Sequence, residues 1–291
     1  MGSYSIKELE KLSGIKAHTL RIWEKRHRII EPQRTSTNIR FYTDEDLKKI
    51  INVSTLNNHG YKISHIANMS YDEMRKHILE LSDSSNELDL QIDQFVVAMI
   101  DMDEDKFEKL LSNLILRFGF EKTILEIVYP FLEKIGVLWL TGNINPAQEH
   151  FISNLVRQKI IVAIDGLSIP ANSQKTAVLY LPEHELHEIG LLFYHYVTKK
   201  AGIRSYYLGQ NVPHADLVSV VKIHKPQLLI SSITSKLSNM SVHEYLKLLE
   251  QEFPNVKILL SGYQMSKLGI YPPKNIKIFK NSLELSQFLN N

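Results

Sequence analysis

Six residues, Glu185-Leu186-His187-Glu188-Ile189-Gly190, are the part of this sequence best placed to do chemistry. They follow a short apolar run over residues 176–181 that reads as a buried parallel strand. They lead into residues 189–200, where apolar side chains recur at helical spacing. A histidine is thus offered where a strand hands over to a helix, the edge at which open α/β sheets bind ligands. A neutral imidazole there is a competent metal ligand, and the Glu185 carboxylate, two residues away, can orient its second nitrogen. A lone loop histidine is more often simply hydrogen-bonded or exposed, and His184 is read that way.

Two other groups carry chemical potential. Trp139 is followed, after nine residues, by Glu149-His150. Asn145-Pro146-Ala147-Gln148 is a good helix start, with Asn as cap, Pro at the first position and Gln to complete the box. Glu149 and His150 therefore belong to the first turns of a mostly apolar helix. The other group is basic: residues 16–40 hold seven Lys/Arg (Lys16, Arg21, Lys25, Arg26, Arg28, Arg34, Arg40) against Glu24 and Glu31. Arg21, Lys25 and Arg28 fall at i, i+4 and i+7, one stripe of a helix that can face a groove. By charge alone such a stripe is as often solvated surface.

These residues need elements to position them. Ser5 can cap a helix over residues 6–12, with Glu8 completing a capping box. Ser13-Gly14 is a turn, residues 16–27 are a second helix with Leu20 and Trp23 inward, and residues 32–42 suit a small hairpin wing. Thr43 caps a helix over 44–58, and another short helix begins at Ile63. The fold class is multidomain α and α/β. Residues 1–75 form a winged helix–turn–helix, 76–86 a linker centred on Ser82–Asn86, and 87–168 a four-helix bundle. A second linker spans 169–174. From 175 to 291, strands near 177–181, 205–208, 227–233, 257–260 and 277–279 alternate with helices, which predicts a doubly wound, flavodoxin-like Rossmann sheet.

Composition narrows the class. The chain has 291 residues, 44% hydrophobic and 23% charged, which excludes a disordered or fibrous protein. It has no cysteine, so disulfides, zinc fingers and iron–sulfur ligation are excluded. No run approaches a membrane span and no signal-peptide pattern opens the chain, so a cytoplasmic protein without membrane contact is expected. Residues 87–165 carry thirteen acidic and seven basic side chains, opposite in sign to the N-terminal segment. That asymmetry points to a polyanion-binding end joined to modules with another task.

Three stretches resemble known families. Tyr4-Ser-Ile-Lys-Glu-Leu9, Gly14-Ile15, Thr19-Leu-Arg-Ile-Trp-Glu24, Pro32, Arg34, Arg40-Phe-Tyr42 and Asp46-Leu47 resemble the winged helix of MerR-family transcription regulators. The resemblance implies double-stranded DNA with an inverted-repeat operator as partner, and Arg21, Arg34, Arg40 and Tyr42 at the DNA surface. Lys16, Thr19 and Lys25 complete the DNA-binding candidates. Glu185-x-His187-x-x-Gly190 resembles the D-x-H-x-x-G signature of cobalamin-binding Rossmann domains, with Glu in place of Asp. The resemblance implies that His187 coordinates cobalt from below and that the cofactor's displaced tail runs toward the sheet. Ser232 and Thr234 would then bond that tail, and Gly262 would admit it closely through its missing side chain. The second glycine of the family's pair is absent, the motif here being Ser261-Gly262-Tyr263.

Trp139, nine residues, then Glu149-His150, resembles the upper-face motif of the CarH/LitR group of cobalamin-dependent, MerR-type photoreceptors. That resemblance implies a bundle capping adenosylcobalamin, a homo-oligomer (dimer or tetramer) on DNA in the dark, and disassembly in light. Some members carry a histidine directly after the tryptophan. Leu140 stands there in this chain, leaving water or another histidine such as His150 for the upper cobalt position after light. The leading expectation is a non-enzymatic, light-sensing transcription regulator, a repressor. A second reading is a MerR-type regulator whose Rossmann module is cofactor-independent and binds another protein. A third, a cobalamin-dependent enzyme or corrinoid methyl carrier, shares the bundle and sheet but lacks a place for the winged helix.

Overall fold

In the computed structural model, Ser5 starts the first helix by reciprocal bonds. Its hydroxyl accepts from the Glu8 amide at 3.4 Å while the Glu8 carboxylate accepts from the Ser5 amide at 2.6 Å. This box opens α1, Ile6–Ser13, and Gly14 closes it in the left-handed region at φ 73°. The structure describes residues 4–35, 37–84, 88–140, 145–168, 175–237, 240–266 and 272–290. Helix α2, Ala17–His27, buries Leu20 and Trp23 and leaves Arg21 and Lys25 exposed. Arg28 lies past its last turn at φ 49°, so it drops out of the helical stripe that its spacing suggested. Strands β1, Gln33–Arg34, and β2, Arg40–Phe41, pair antiparallel as the wing.

Thr43 and Asp46 form a second capping box over α3, Asp44–Asn58. This helix is buried on nearly every side between Leu47 and Leu56. Helices α4, Ile63–Ile66, and α5, Tyr71–Ser84, follow. The linker expected over 76–86 is corrected here: residues 76–84 are the continuation of α5, and 85–87 lie outside the described residues. A box at Ser70 and Glu73 starts that helix, and its helical pattern outweighs the polar composition of its end.

The bundle helices are α6, Leu88–Asp101, α7, Glu104–Phe118, a continuous run of α8, Phe120–Thr123, a π-turn, Ile124–Val128, and α9, Tyr129–Leu140, then α10, Pro146–Asp165. Phe95, Phe107 and Phe131 form a buried aromatic cluster, with ring centroids 4.8, 5.3 and 6.2 Å apart. Helix α3 packs on α6, so the winged-helix segment and the start of the bundle adjoin rather than hang from a free tether. One ion pair, Lys48 to Asp101, crosses this seam, and another, Lys134 to Asp93, lies beside it within the bundle. Lys48 Nζ lies 2.6 Å from both Glu45 and Asp101, and Lys134 Nζ lies 2.7 Å from Asp93, which also accepts from Thr55. Burial pushes the Asp93 carboxyl up, partly opposed by Lys134.

The chain divides into two compact units, Met1–Leu155 and Val156–Asn291. In the second unit five strands lie parallel: β3, Thr176–Pro182, β4, Arg204–Val212, β5, Leu228–Ser232, β6, Lys257–Ser261, and β7, Ile276–Ile278. Their order is β4-β3-β5-β6-β7, the doubly wound arrangement expected from the alternating pattern. Helices α11, Glu188–Lys200, α12, His214–His224, α13, Val242–Glu252, α14, Tyr263–Ser266, and α15, Ser282–Asn290, join them. Chain order reverses at β3, between β4 and β5. The crevice beyond the carboxyl ends of β3 and β5 is therefore the switch point where such sheets take ligands. The linker expected at 169–174 lies outside the described residues.

Candidate functional site

Strand β3 is buried along almost its whole length, which fixes its carboxyl end and the loop that leaves it. Glu185 on that loop is 2% exposed, and its carboxylate bridges to the loop after β5. Glu185 Oε2 accepts from the amides of Thr234 and Ser235, both at 2.7 Å. Glu185 Oε1 sits 2.6 Å from His187 Nδ1 and accepts from the His187 amide at 3.1 Å. Burial opposes ionisation of this carboxyl, but the bonds from His187 and from the amides of Ser235, His187 and Thr234 outweigh it. They hold its pKa down to about 2. A carboxylate so fixed accepts the Nδ1 proton, and Nε2 is left as the nitrogen suited to a metal.

The His187 side chain is 63% exposed while its carboxylate partner is buried. Ser235 Oγ lies 3.3 Å from His187 Nδ1 and 3.5 Å from Glu185 Oε1. Leu186, between the two, is exposed. Gly190, in the first turn of α11, has nothing within 4 Å of where a Cβ would stand. A glycine inside a helix costs about 0.5–1 kcal/mol relative to alanine, so this one keeps a surface clear at some expense. Among the described residues no group of three or more His, Asp or Glu could hold a bare metal ion. A single oriented imidazole suits a metal whose other positions are filled by its own macrocycle.

The residues assigned to the tail are placed differently from one another. Ser232 is buried at the end of β5, and Thr234 contributes its amide to Glu185. Gly262 requires a different reason for being glycine. At φ +103° a Cβ there would meet the carbonyl oxygen of Ile233 at 2.4 Å, so the room left by the missing side chain is taken by that main chain. Beside it, Ser261 Oγ pairs with the buried Tyr194 hydroxyl at 2.8 Å.

In the first unit, Trp139 lies near the end of α9; its side chain, like that of Leu140, is outside the described residues. Asn145 caps α10, accepting from the Ala147 amide at 3.0 Å. Glu149 is half-buried and pairs with the exposed His150 at 2.9 Å. In the winged-helix segment Arg21, Lys25 and Arg40 are exposed. Arg34 closes the wing turn through the Asn38 carbonyl and side chain at 3.3 and 2.8 Å. Lys16 pairs with Glu10 at 3.0 Å, and Thr19 is half-buried beside His18. Tyr42 is a correction. It is fully buried, bridges to Tyr4 through the main chain, and its hydroxyl donates to Glu24 at 3.1 Å. It supports the wing from inside because an aromatic ring is worth more in so small a core than on a basic surface.

The sequence reading missed Ser235, and also the pair Arg157 and Tyr207, which hold Glu188. Ser235 stands one residue beyond the Ser-x-Thr element, and only the close approach of the two loops reveals it.

The fold and these two surfaces define a MerR-type DNA-binding regulator with a B12-binding domain. Residues 4–72 match the family of MerR HTH regulatory proteins and residues 91–163 match the B12 binding domain. The chain is homologous to two repressors of Myxococcus xanthus. It is 26% identical over 258 residues to the HTH-type transcriptional repressor CarH, covering 87% of this chain and 86% of that protein. It is also 26% identical over 230 residues to the HTH-type transcriptional repressor CarA, covering 78% of this chain and 75% of that one. The monomethylamine corrinoid protein of Methanosarcina barkeri shares the fold at a TM-score of 0.51 and 16% identity, over 74% of this chain and 97% of that chain. No helix among the described residues is long and apolar enough to cross a membrane.

Proposed function

We propose that this protein is a cytoplasmic repressor that uses adenosylcobalamin as a light-sensing ligand. The observation that carries this reading is the Glu185–His187 pair at the switch point of the sheet, in one chain with a MerR-type reader. His187 would hold cobalt through Nε2, with Glu185 fixing the ring. The exposed Leu186 and the open surface at Gly190 suit a flat apolar group lying over the loop. Ser232 and Thr234 are the candidates on the tail side, and Trp139, Glu149 and His150 those on the upper face. When bound, adenosylcobalamin supplies a cobalt–carbon bond that light breaks. The protein's part is to favour one cofactor state over the other, which any ligand-driven switch requires. Arg21, Lys25, Arg34 and Arg40 would engage an inverted-repeat operator, and assembly into dimers or tetramers would add avidity.

Size-exclusion chromatography with adenosylcobalamin, before and after green light, tests this. A larger assembly in the dark that falls apart on illumination supports the reading, and an elution volume indifferent to cofactor and light overturns it. A second reading, a module that needs no cofactor, is favoured by Gly262, whose missing side chain Ile233 already accounts for. Protein that stays colourless after incubation with adenosylcobalamin decides for it.

A further inference from the structure

Glu188, directly after His187, is anchored by an ion pair and a hydrogen bond of its own. It opens α11, and its side chain is only 10% exposed. Arg157 Nη2, reaching from α10, lies 2.7 Å from Glu188 Oε2. The Tyr207 hydroxyl, from β4, donates to Glu188 Oε1 at 3.0 Å. Gly209 on the same strand clears room for the carboxylate, since a Cβ there would stand 3.3 Å from Oε1. The ring of His195 stacks on that of Tyr207 at 4.9 Å and 14°, which restrains the phenol. Burial, and secondarily Lys199, lowers the His195 pKa to about 4, so this ring is neutral at ordinary pH and adds no competing cation.

The consequence concerns His187 itself. Its main chain sits at φ −78°, ψ 72°, between loop and helix, and its side chain does not cap the helix. Its backbone is therefore not fixed by helical bonding alone. It is held from one side by the Glu185 carboxylate against the Thr234 and Ser235 amides. On the other side it is held by Glu188 against Arg157 and Tyr207. A carboxylate this desolvated keeps its position only while both partners are present. Removal of either frees the peptide to pivot about the remaining anchor.

We propose that Arg157, Glu188 and Tyr207 are positioning residues that set the reach and aim of His187 toward an axial metal ligand position. Arg157 is then a determinant of corrinoid affinity without touching the metal. This rests on the assignment of His187 as cobalt ligand. Outer partners of metal-binding histidines change affinity by about 10- to 100-fold when removed, because the ligand is no longer held in its orientation.

The test uses the full-length protein with Arg157→Met, which keeps the aliphatic bulk, Arg157→Lys, which keeps the charge, Tyr207→Phe, and His187→Ala as the reference. Hydrogen exchange of residues 185–190 is followed without cofactor. Cob(II)alamin binding to protein carrying ¹⁵N-labelled histidine is followed by electron paramagnetic resonance, in which a histidine nitrogen splits the cobalt lines into two and the cofactor's own base into three. The expected result for Arg157→Met is exchange accelerated about 10-fold in that loop and not elsewhere, with affinity lowered about 10-fold and the two-line splitting missing from part of the sample. Tyr207→Phe should act in the same direction but less, and Arg157→Lys should restore most of both signals. Arg157→Met with unchanged exchange and unchanged splitting overturns the proposal, as does a general loss of stability with binding intact. If the wild type itself shows no two-line splitting, the cobalt assignment fails, while the exchange data still report on whether the clamp holds the loop.

Discussion

Glu185 Oε1 and His187 Nδ1 are 2.6 Å apart, one buried and the other turned to the surface. This pair converts a loop histidine into an oriented donor. The prediction is specific to oxygen chemistry. In Glu185→Gln one amide face must still accept from Nδ1, which turns the NH₂ toward the Thr234 and Ser235 amides, two donors that need an acceptor. We expect cobalamin affinity to fall by about 10- to 100-fold in a dark absorbance titration, with the fold intact by circular dichroism. Wild-type affinity in this variant contradicts the role given to Glu185.

The winged-helix segment carries exposed arginines, Arg21 and Arg40, and a buried tyrosine, Tyr42. Arg21→Ala and Arg40→Ala should each lower operator affinity and reduce the slope of log affinity against log salt by about one, as expected when one phosphate is no longer neutralised by the protein. Tyr42→Phe should leave that slope unchanged. It removes a hydroxyl that Glu24 accepts inside the fold and should cost about 1 kcal/mol in chemical denaturation. Fluorescence anisotropy over a salt series, beside urea unfolding, distinguishes the two effects.

The ion pair between Lys134 on α9 and Asp93 on α6 makes its own prediction. Lys134→Met alone strands a carboxyl that burial already pushes up, and should destabilise by on the order of 2–3 kcal/mol in urea unfolding. Adding Asp93→Asn should recover part of the stability, because a neutral amide is cheaper to bury than an unpaired charge. A double variant less stable than the wild type by the sum of both single effects shows that the pair does not act as a unit.

What could be read in the sequence was local. Ser5 with Glu8, Thr43 with Asp46 and Asn145 before Pro146 announce helix starts because capping uses side chains a few residues from the amides they serve. The strand-to-helix step at Glu185–Gly190 was legible for the same reason, and so was the order of the alternating strands. Ser70 and Glu73 carried the same signal for α5, which the polar run at 82–86 obscured. The rest depends on pairs distant in sequence. Glu185 is anchored by amides 49 and 50 residues away, and a backbone amide leaves no mark in residue type. Arg157 meets Glu188 only because α10 and α11 come together in the fold, and Gly262 owes its glycine to Ile233, just past the end of β5. Tyr42 was misplaced because a basic wing suggested a surface where the chain had built a small core.

The central claim is that His187 is the residue through which this protein holds cobalt. The direct test is electron paramagnetic resonance of cob(II)alamin bound to protein carrying ¹⁵N-labelled histidine, beside unlabelled protein and His187→Ala. Cobalt held by His187 gives a three-line nitrogen splitting that becomes two lines on labelling, and the two-line pattern is lost in labelled His187→Ala. A wild-type splitting that ignores the label, or a two-line splitting that survives in labelled His187→Ala, contradicts the assignment.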